Sequence, residues 1–470
     1  MQENQNNKTA EPFWLLFTAI VVFGLFSFVK TDFSIGSFQA KPINILSDLQ
    51  RKVSLTEKAP LSPVLNGKRM AARNVFMAPA LSANNISEFG TDTSGGLINF
   101  FLALEQLKTG KKKQVRVAYF GDSMIEGDLI TQDLRKALQD TFGGYGVGFM
   151  PVTSIVAGFR TSIIHSFSKN WTDYNLSTPS ASGHAPGISG HTFIPVYTGA
   201  AIDSLNPESS GASWVKYTAS KFERLNKFYN VRLFYGKPEG DQYVNFNGTS
   251  VKLDGPYQVN EIYLNKDNPI QSFTATFSSS APLDVYGFSM DSETGIFVDN
   301  YSFRGNSGLP LGSFSQNIMN GLHSYLGYDL IILHYGVNVV NSKLKDYNWY
   351  TLGMSGVVEK IRKSFPGASV LIISTGDKGY RKEGKMTTDP AVPFLVDAQR
   401  KLAEKTGSAF WSLFDAMGGH ESMIKWVEGD TAYANKDYTH FNHRGARRVG
   451  KMLYKEIINE YNRYKKSSES

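Results

Sequence analysis

The 470-residue sequence contains no cysteine. That absence excludes a disulfide scaffold, a thiolate zinc site, a cysteine nucleophile and a lipid-modified cysteine anchor. It leaves the compartment open, since a thiol-free chain suits oxidising and reducing surroundings alike. Charge is also sparse: 19% of residues are Asp, Glu, Lys or Arg, and 49 basic against 42 acidic residues leave a net charge of +7. Spread over so long a chain, this is no basic stripe, and nucleic acid is not expected as a partner. Two basic clusters exist, Lys111-Lys112-Lys113 with Arg116 and a run ending Arg463-Tyr464-Lys465-Lys466. They read as the solvated ends of a strand and of an amphipathic helix.

One long stretch, residues 13–29, lacks charge and is apolar or small throughout. Its 17 residues lie at the short end of what spans a bilayer. The core of a cleaved signal peptide is shorter, and no small-x-small cleavage site follows at once. The expectation is an uncleaved, single-pass inner-membrane anchor (residues 1–30 with its tail), with the remainder in the periplasm or outside the cell. Residues 31–95 mix Pro, Ser, Asn and Lys without sustained periodicity and read as a tether.

Helical spacing of Leu97, Phe100, Phe101, Leu104 and Leu107 predicts a helix over 97–107. The apolar run 115–120 then predicts a buried strand, followed by Gly121-Asp122-Ser123 and a helix over 129–142. Strand, tight turn and helix open an α/β sheet. Between 158 and 284 the pattern changes to short alternating runs, at 230–235, 243–246, 257–264 and 272–277, spaced as in a sandwich or jelly roll. Strands at 329–335, 369–374 and 409–414 and helices at 350–365, 396–406 and 443–464 then restore the α/β rhythm. The reading is an α/β domain in two parts, 96–160 and 285–470, with a β domain at 161–284 inserted between them.

Four short pieces carry chemistry. Ser123 ends a predicted parallel strand, where ligands bind in open α/β sheets. In Asp437-Tyr438-Thr439-His440 the i, i+3 spacing lets a carboxylate orient an imidazole that activates a hydroxyl; alone, the pair is also a capping Asp and a surface His. Asn338, in Gly336-Val337-Asn338, either aims its amide at a developing oxyanion or closes a turn. Gly305, with Gly308 as its rival, lets a backbone N–H approach the same oxygen. His443 is a rival base whose start-of-helix position fits a cap, and His334, within an apolar strand, reads as a core histidine.

Together, Gly121-Asp122-Ser123-Met124, Gly305, Gly336-x-Asn338 and Asp437-x-x-His440 resemble blocks one, two, three and five of the SGNH (GDSL-like) hydrolases. The string from Tyr119 to Asp128, followed by Phe142 to Phe149, is similar to the peptidoglycan O-acetylesterase branch of that family. The resemblance covers about 250 residues. It departs from the pattern at Met124, where the family name implies leucine, and at Val339, where many members have aspartate; Asp299-Asn300 lies just upstream of block two.

The resemblance implies a flavodoxin-like three-layer sheet with a β-rich, carbohydrate-module-like domain between blocks one and two. It implies a serine esterase acting on an acetylated glycan, peptidoglycan first among the polymers. Ser123, His440 and Asp437 would form the triad, and the backbone N–H groups of Ser123 and Gly305 with the Asn338 amide would form the oxyanion hole. Neither metal nor organic cofactor is called for. Two other readings stay open: an O-acetyltransferase accessory paired with an integral membrane acyltransferase, and a non-catalytic glycan-binding protein. For the last, Trp171, Trp214, Tyr217, Phe228, Tyr229, Tyr235 and Tyr243 of the insertion are able to stack on sugar rings, although most such aromatics are expected simply to be core.

Overall fold

The run Gln114–Gly121 (β1) sends Val115, Val117 and Tyr119 into one hydrophobic layer and Ala118 and Phe120 into another. A strand buried on both faces needs helices on both sides. The structure, a computed structural model describing residues 33–35, 38–40, 85–90, 96–178, 183–197, 211–278 and 281–469, supplies them. Four further strands run parallel to β1: Gly295–Ser302 (β2), Tyr328–His334 (β3), Ser369–Ile373 (β4) and Ala409–Trp411 (β5). Their spatial order is β2-β1-β3-β4-β5, the flavodoxin-like winding. Ile98–Lys108 (α1), Thr131–Phe142 (α2) and the long His443–Glu469 helix supply one outer layer. Gln316–Leu326, Asn348–Ser364 and Val392–Thr406 supply the other. The expected three-layer architecture is therefore present.

In this order the chain winds away from β1 in opposite directions, so the ends of β1, β2 and β3 border one crevice at the carboxyl edge of the sheet. Ser123, Gly305 and Asn338 each follow one of these three strands.

The insertion consists of two antiparallel sheets packed over a shared core. One contains Ile163–Phe167, Ser213–Ala219, Gln242–Phe246, Thr249–Leu253 and Ser272–Phe277; the other contains Trp171–Asn175, His191–Pro195, Asn230–Tyr235, Asn260–Asn265 and Val285–Asp291. Gly148–Met150 pairs with Val285–Asp291. Both of those strands lie outside the expected 161–284 boundary, which cuts through the second sheet. Of the seven aromatic residues able to stack on sugar rings, of which most are expected in the core, Trp214, Tyr217, Phe228 and Tyr235 are buried there. Trp171 and Tyr229 are half-buried, and Tyr243 is exposed.

The insertion is joined to the α/β domain through buried charge. Arg116 on β1 contacts Asp291 at 2.6 Å and Asp299 at 3.2 Å, and Arg232 contacts the same Asp291 at 2.7 Å, with every member at most 4% exposed. Burying such ions is costly unless each is paired, and here two guanidinium groups face two carboxylates. Lys112 pairs with Asp329 and Lys113 with Glu293, so most of the first basic cluster is neutralised.

The strand expected at 409–414 is shorter, ending at Trp411: Ser412 caps a helix, Leu413–Met417, its hydroxyl accepting from the Asp415 N–H. The expected anchor at 13–29 and most of the tether lie outside the described residues. Among the described residues no helix is long and apolar enough to cross a membrane. Residues 1–77 and 78–470 form two units, and of the first only the antiparallel ribbon Phe33–Ile35 with Phe38–Ala40 is described.

Candidate active site

Ser123 opens a tight turn, Ser123–Asp128, that joins β1 to α2. Asp122 caps this turn, its Oδ1 accepting from the Met124 N–H at 3.0 Å. The turn's far side is awkward: Gly127, Asp128 and Ile130 all have positive φ, near 66–68°. Ile130, with ψ −54°, takes the rare, strained geometry of a classic γ-turn, with the Thr131 N–H donating to the Leu129 carbonyl at 2.7 Å; such backbone costs about 1–3 kcal/mol. Arg135 from α2 clamps it with two bonds to the Asp128 carboxylate, at 2.7 and 2.8 Å. Burial alone would raise the Asp128 pKa, but the charges of Arg135 and Arg160 hold it well below the usual carboxylate range. Asn300 adds a second brace, its amide donating to the Ile125 carbonyl and the Thr131 hydroxyl, each at 2.8 Å.

At the other end of the chain, the loop before the last helix folds back over this turn. His440 Nε2 lies 2.9 Å from Ser123 Oγ, and His440 Nδ1 lies 2.8 Å from Asp437 Oδ2. The second carboxylate oxygen of Asp437 accepts from the backbone N–H groups of Thr439 and His440, both at 3.0 Å. Partial burial pushes the Asp437 pKa up, but these bonds outweigh it and leave the carboxyl below its ordinary value. A carboxylate so held fixes the imidazole with Nδ1–H toward itself and Nε2 free to take a hydroxyl proton. The three predicted triad members, with Ser123 and His440 317 residues apart in the chain, thus form one hydrogen-bonded series. The series is open to solvent, with the side chains of His440 and Asp437 38% and 49% exposed.

The predicted oxyanion residues gather around the same serine. Gly305 has φ +75° with open space where a side chain would stand. Among the described residues no backbone acceptor takes its N–H. Gly308 is excluded as a rival because its N–H donates to Asn306 Oδ1 at 2.8 Å. Asn338 is at the site, but its amide is engaged: Nδ2 donates to Asp122 Oδ2 at 3.1 Å and to the Asn306 carbonyl at 3.2 Å. To serve an oxyanion, it must share or exchange one of these acceptors with substrate.

The chain matches no family model and no curated protein sequence. Among solved structures it is similar to one described as a peptidoglycan O-acetylesterase in action, with a TM-score of 0.65 at 23% identity, over 80% of this chain and 99% of that one. The chain shares the fold of that structure. It also matches a family two carbohydrate esterase from Cellvibrio japonicus over 63% of this chain and 99% of that one, at 8% identity and a TM-score of 0.25. An acetyl xylan esterase matches over 34% of this chain and 81% of that one, at 17% identity and a TM-score of 0.27.

The remaining predicted residues have structural roles in this fold. His443 packs its ring on Phe159, with centroids 4.8 Å apart. His334 is 2% exposed, its Nδ1 3.0 Å from the Tyr119 hydroxyl, and burial drives its pKa down to about 4. Asp299 belongs to the interface with the insertion, accepting from the Phe149 N–H at 2.9 Å and the Tyr328 hydroxyl at 2.7 Å.

Asp122, in the sequence one member of the Gly-Asp-Ser string, connects the nucleophile turn to Asn338. Burial raises its pKa to about 7, against the hydrogen bonds from Met124 and Asn338 and the nearby His440, which lower it. The signal for this role lay in the string itself, where Asp122 is a residue able to cap the turn after the strand. Among the described residues no cluster of His, Asp and Glu is arranged to hold a metal ion.

Proposed function

We propose that the protein is an exported serine esterase that removes O-acetyl groups from a cell-envelope carbohydrate, with peptidoglycan as the polymer. The observation that carries this reading is the series Ser123–His440–Asp437, with bonds of 2.9 and 2.8 Å at the carboxyl edge of the sheet. His440 takes the Ser123 proton as Oγ attacks the acetyl carbonyl. The N–H groups of Ser123 and Gly305, with the Asn338 amide, receive the negative charge that develops on the carbonyl oxygen. Collapse of the tetrahedral intermediate, with His440 returning its proton to the departing sugar hydroxyl, leaves acetyl-Ser123. Water activated by His440 then attacks this ester and releases acetate.

The exposure of His440 and Asp437 supports water as the acceptor, because transfer to a second hydroxyl needs a site that keeps water out. The open crevice also suits an ester borne on a polymer rather than a small molecule enclosed on all sides. Residues 13–29 are proposed to anchor the chain in the inner membrane with the esterase facing the envelope. Protease accessibility of the esterase in intact spheroplasts tests that placement.

The experiment for the activity is acetate release from O-acetylated peptidoglycan. The unaltered chain is expected to release acetate and Ser123→Ala none. Transfer of acetyl to added glycan without net acetate would favour the acyltransferase reading instead, and glycan binding with no turnover the binding-protein reading.

A further inference from the structure

Along the turn that follows Ser123 lies a cleft of about 360 Å³, lined by that turn, by the strand end before Gly305, by the segment 151–160 and by the insertion's strands Trp171–Asn175 and His191–Pro195. Ser123 itself does not line it, but Glu126 and Arg304 do. These two residues form an ion pair, with Arg304 Nε 3.0 Å from Glu126 Oε2. Glu126 stands three residues beyond the nucleophile, and Arg304 directly precedes Gly305.

The insertion's part of the lining carries a second histidine–carboxylate pair. His191 Nδ1 lies 2.9 and 3.0 Å from the two oxygens of Asp173. The pair is only partly exposed, at 25% and 34%. Its ring is fixed in orientation by stacking on Phe193, with centroids 5.6 Å apart, and by contact with Phe303 at 5.1 Å. With Nδ1 engaged by the carboxylate, Nε2 is the nitrogen left to meet a ligand. Ile155, 84% exposed, adds an apolar patch to the lining.

The chemistry of this lining is specific. Two carboxylates (Glu126 and Asp173), two guanidinium groups (Arg160 and Arg304) and one imidazole place acceptors and donors around the cleft with balanced charge, while Ile155 and Phe303 are apolar. That combination matches a pyranose ring, whose edge is a row of hydroxyl groups and whose face is C–H. It does not suit a lipid tail, which would leave the charged groups unsolvated, or a polyanion, because both guanidinium groups are already paired with carboxylates, Arg304 with Glu126 and Arg160 with Asp128.

Resting on the esterase reading above, we infer that this cleft is a saccharide subsite. It holds the sugar unit next to the one whose ester lies at Ser123, and His191, oriented by Asp173, bonds to that unit's hydroxyl or amide groups. The insertion then contributes to substrate choice through a polar hairpin rather than through its aromatic residues, most of which are buried.

The test uses the full chain and the unacetylated disaccharide N-acetylglucosaminyl-N-acetylmuramic acid, with affinity measured by calorimetry. Losing a hydrogen bond to a charged or charge-paired group is expected to weaken binding about tenfold in His191→Ala, and about threefold in Asp173→Asn, which keeps the shape of the pair. In turnover, the KM for the O-acetylated disaccharide should rise by more than any change seen on 4-nitrophenyl acetate. If His191→Ala lowers the melting temperature, Asp173→Asn carries the same comparison. Unchanged affinity in a folded variant, no binding by the unaltered chain, or equal losses on the two esters overturns the subsite. Binding that depends on His191 in a chain that cleaves neither ester would keep the subsite and overturn the esterase reading.

Discussion

The side-chain amide of Asn338 donates to Asp122 Oδ2 across 3.1 Å, so the residue that follows β3 is tied to the residue that precedes the nucleophile. The same amide holds the Asn306 carbonyl in the loop that carries Gly305. One side chain thereby links the three strand ends that frame the site.

Asn338→Ala removes this link together with a donor for the developing oxyanion. Loss of one such donor typically lowers kcat by about 10²–10³. We expect a loss of that order on an acetyl ester, with KM changed far less, because the interaction strengthens as charge develops on the oxygen. A variant retaining full kcat would show that Asn338 only closes its turn.

Asp122 makes stability depend on pH with a definite sign. Its pKa is about 7 in the folded chain and 3.8 when unfolded, because burial disfavours its charged form. Its contribution to stability is complete below about pH 4 and is lost as pH rises through 7. His334 acts oppositely: burial lowers its pKa to about 4, so its contribution is lost as pH falls through that value. Thermal unfolding of the unaltered chain and of Asp122→Asn should therefore diverge across pH 4–7. The difference, unaltered minus variant, should fall steadily as pH rises. A difference constant over that range would place the Asp122 carboxyl in ordinary titration.

Gly305 and Gly308 separate catalytic from structural demands on one loop. At Gly305 an added Cβ meets nothing within 4 Å, and only the positive φ opposes it; Gly305→Ala should cost about 1 kcal/mol of stability. Tilting the N–H should nonetheless lower kcat clearly. At Gly308 the φ is +92° and a Cβ would stand 3.0 Å from Met354 and Tyr335, so Gly308→Ala should cost about 2 kcal/mol or more. Melting temperatures and kcat, measured together, should rank the two variants in opposite orders.

What could be read from the sequence was local. Tyr328–His334 holds the unbroken apolar run Leu330-Ile331-Ile332-Leu333 with a glycine soon after it, and it was legible as a strand. Gly295–Ser302 was not, although it is the second strand of the sheet, because Asp299 and Asn300 interrupt the apolar pattern. Those two polar residues are buried against Arg116, the Phe149 N–H and Thr131, partners distant in sequence. The pairing of Gly148–Met150 with Val285–Asp291 was likewise invisible, since no local pattern marks a partner so far along the chain. The triad residues were legible as types at strand and helix boundaries. The engagement of Asn338 with Asp122 was not, since it depends on how closely β1 and β3 lie.

The strongest test of the site concerns how its members combine. Ser123 Oγ and His440 Nε2 share one hydrogen bond, and His440 Nδ1 meets Asp437; residues acting as such a unit show grossly non-additive losses. Ser123→Ala and His440→Ala should each lower kcat by about 10⁴–10⁶, and the double variant by no more than either alone. Asp437→Asn keeps an oxygen for the N–H groups of Thr439 and His440 but selects the wrong imidazole tautomer, with an expected loss of about 10⁴. His443, stacked on Phe159 and apart from the series, should tolerate alanine with kcat within about tenfold of the unaltered value. Losses that multiply in the double variant would mean that Ser123 and His440 do not act on the same proton, and the assignment of nucleophile and base would fall.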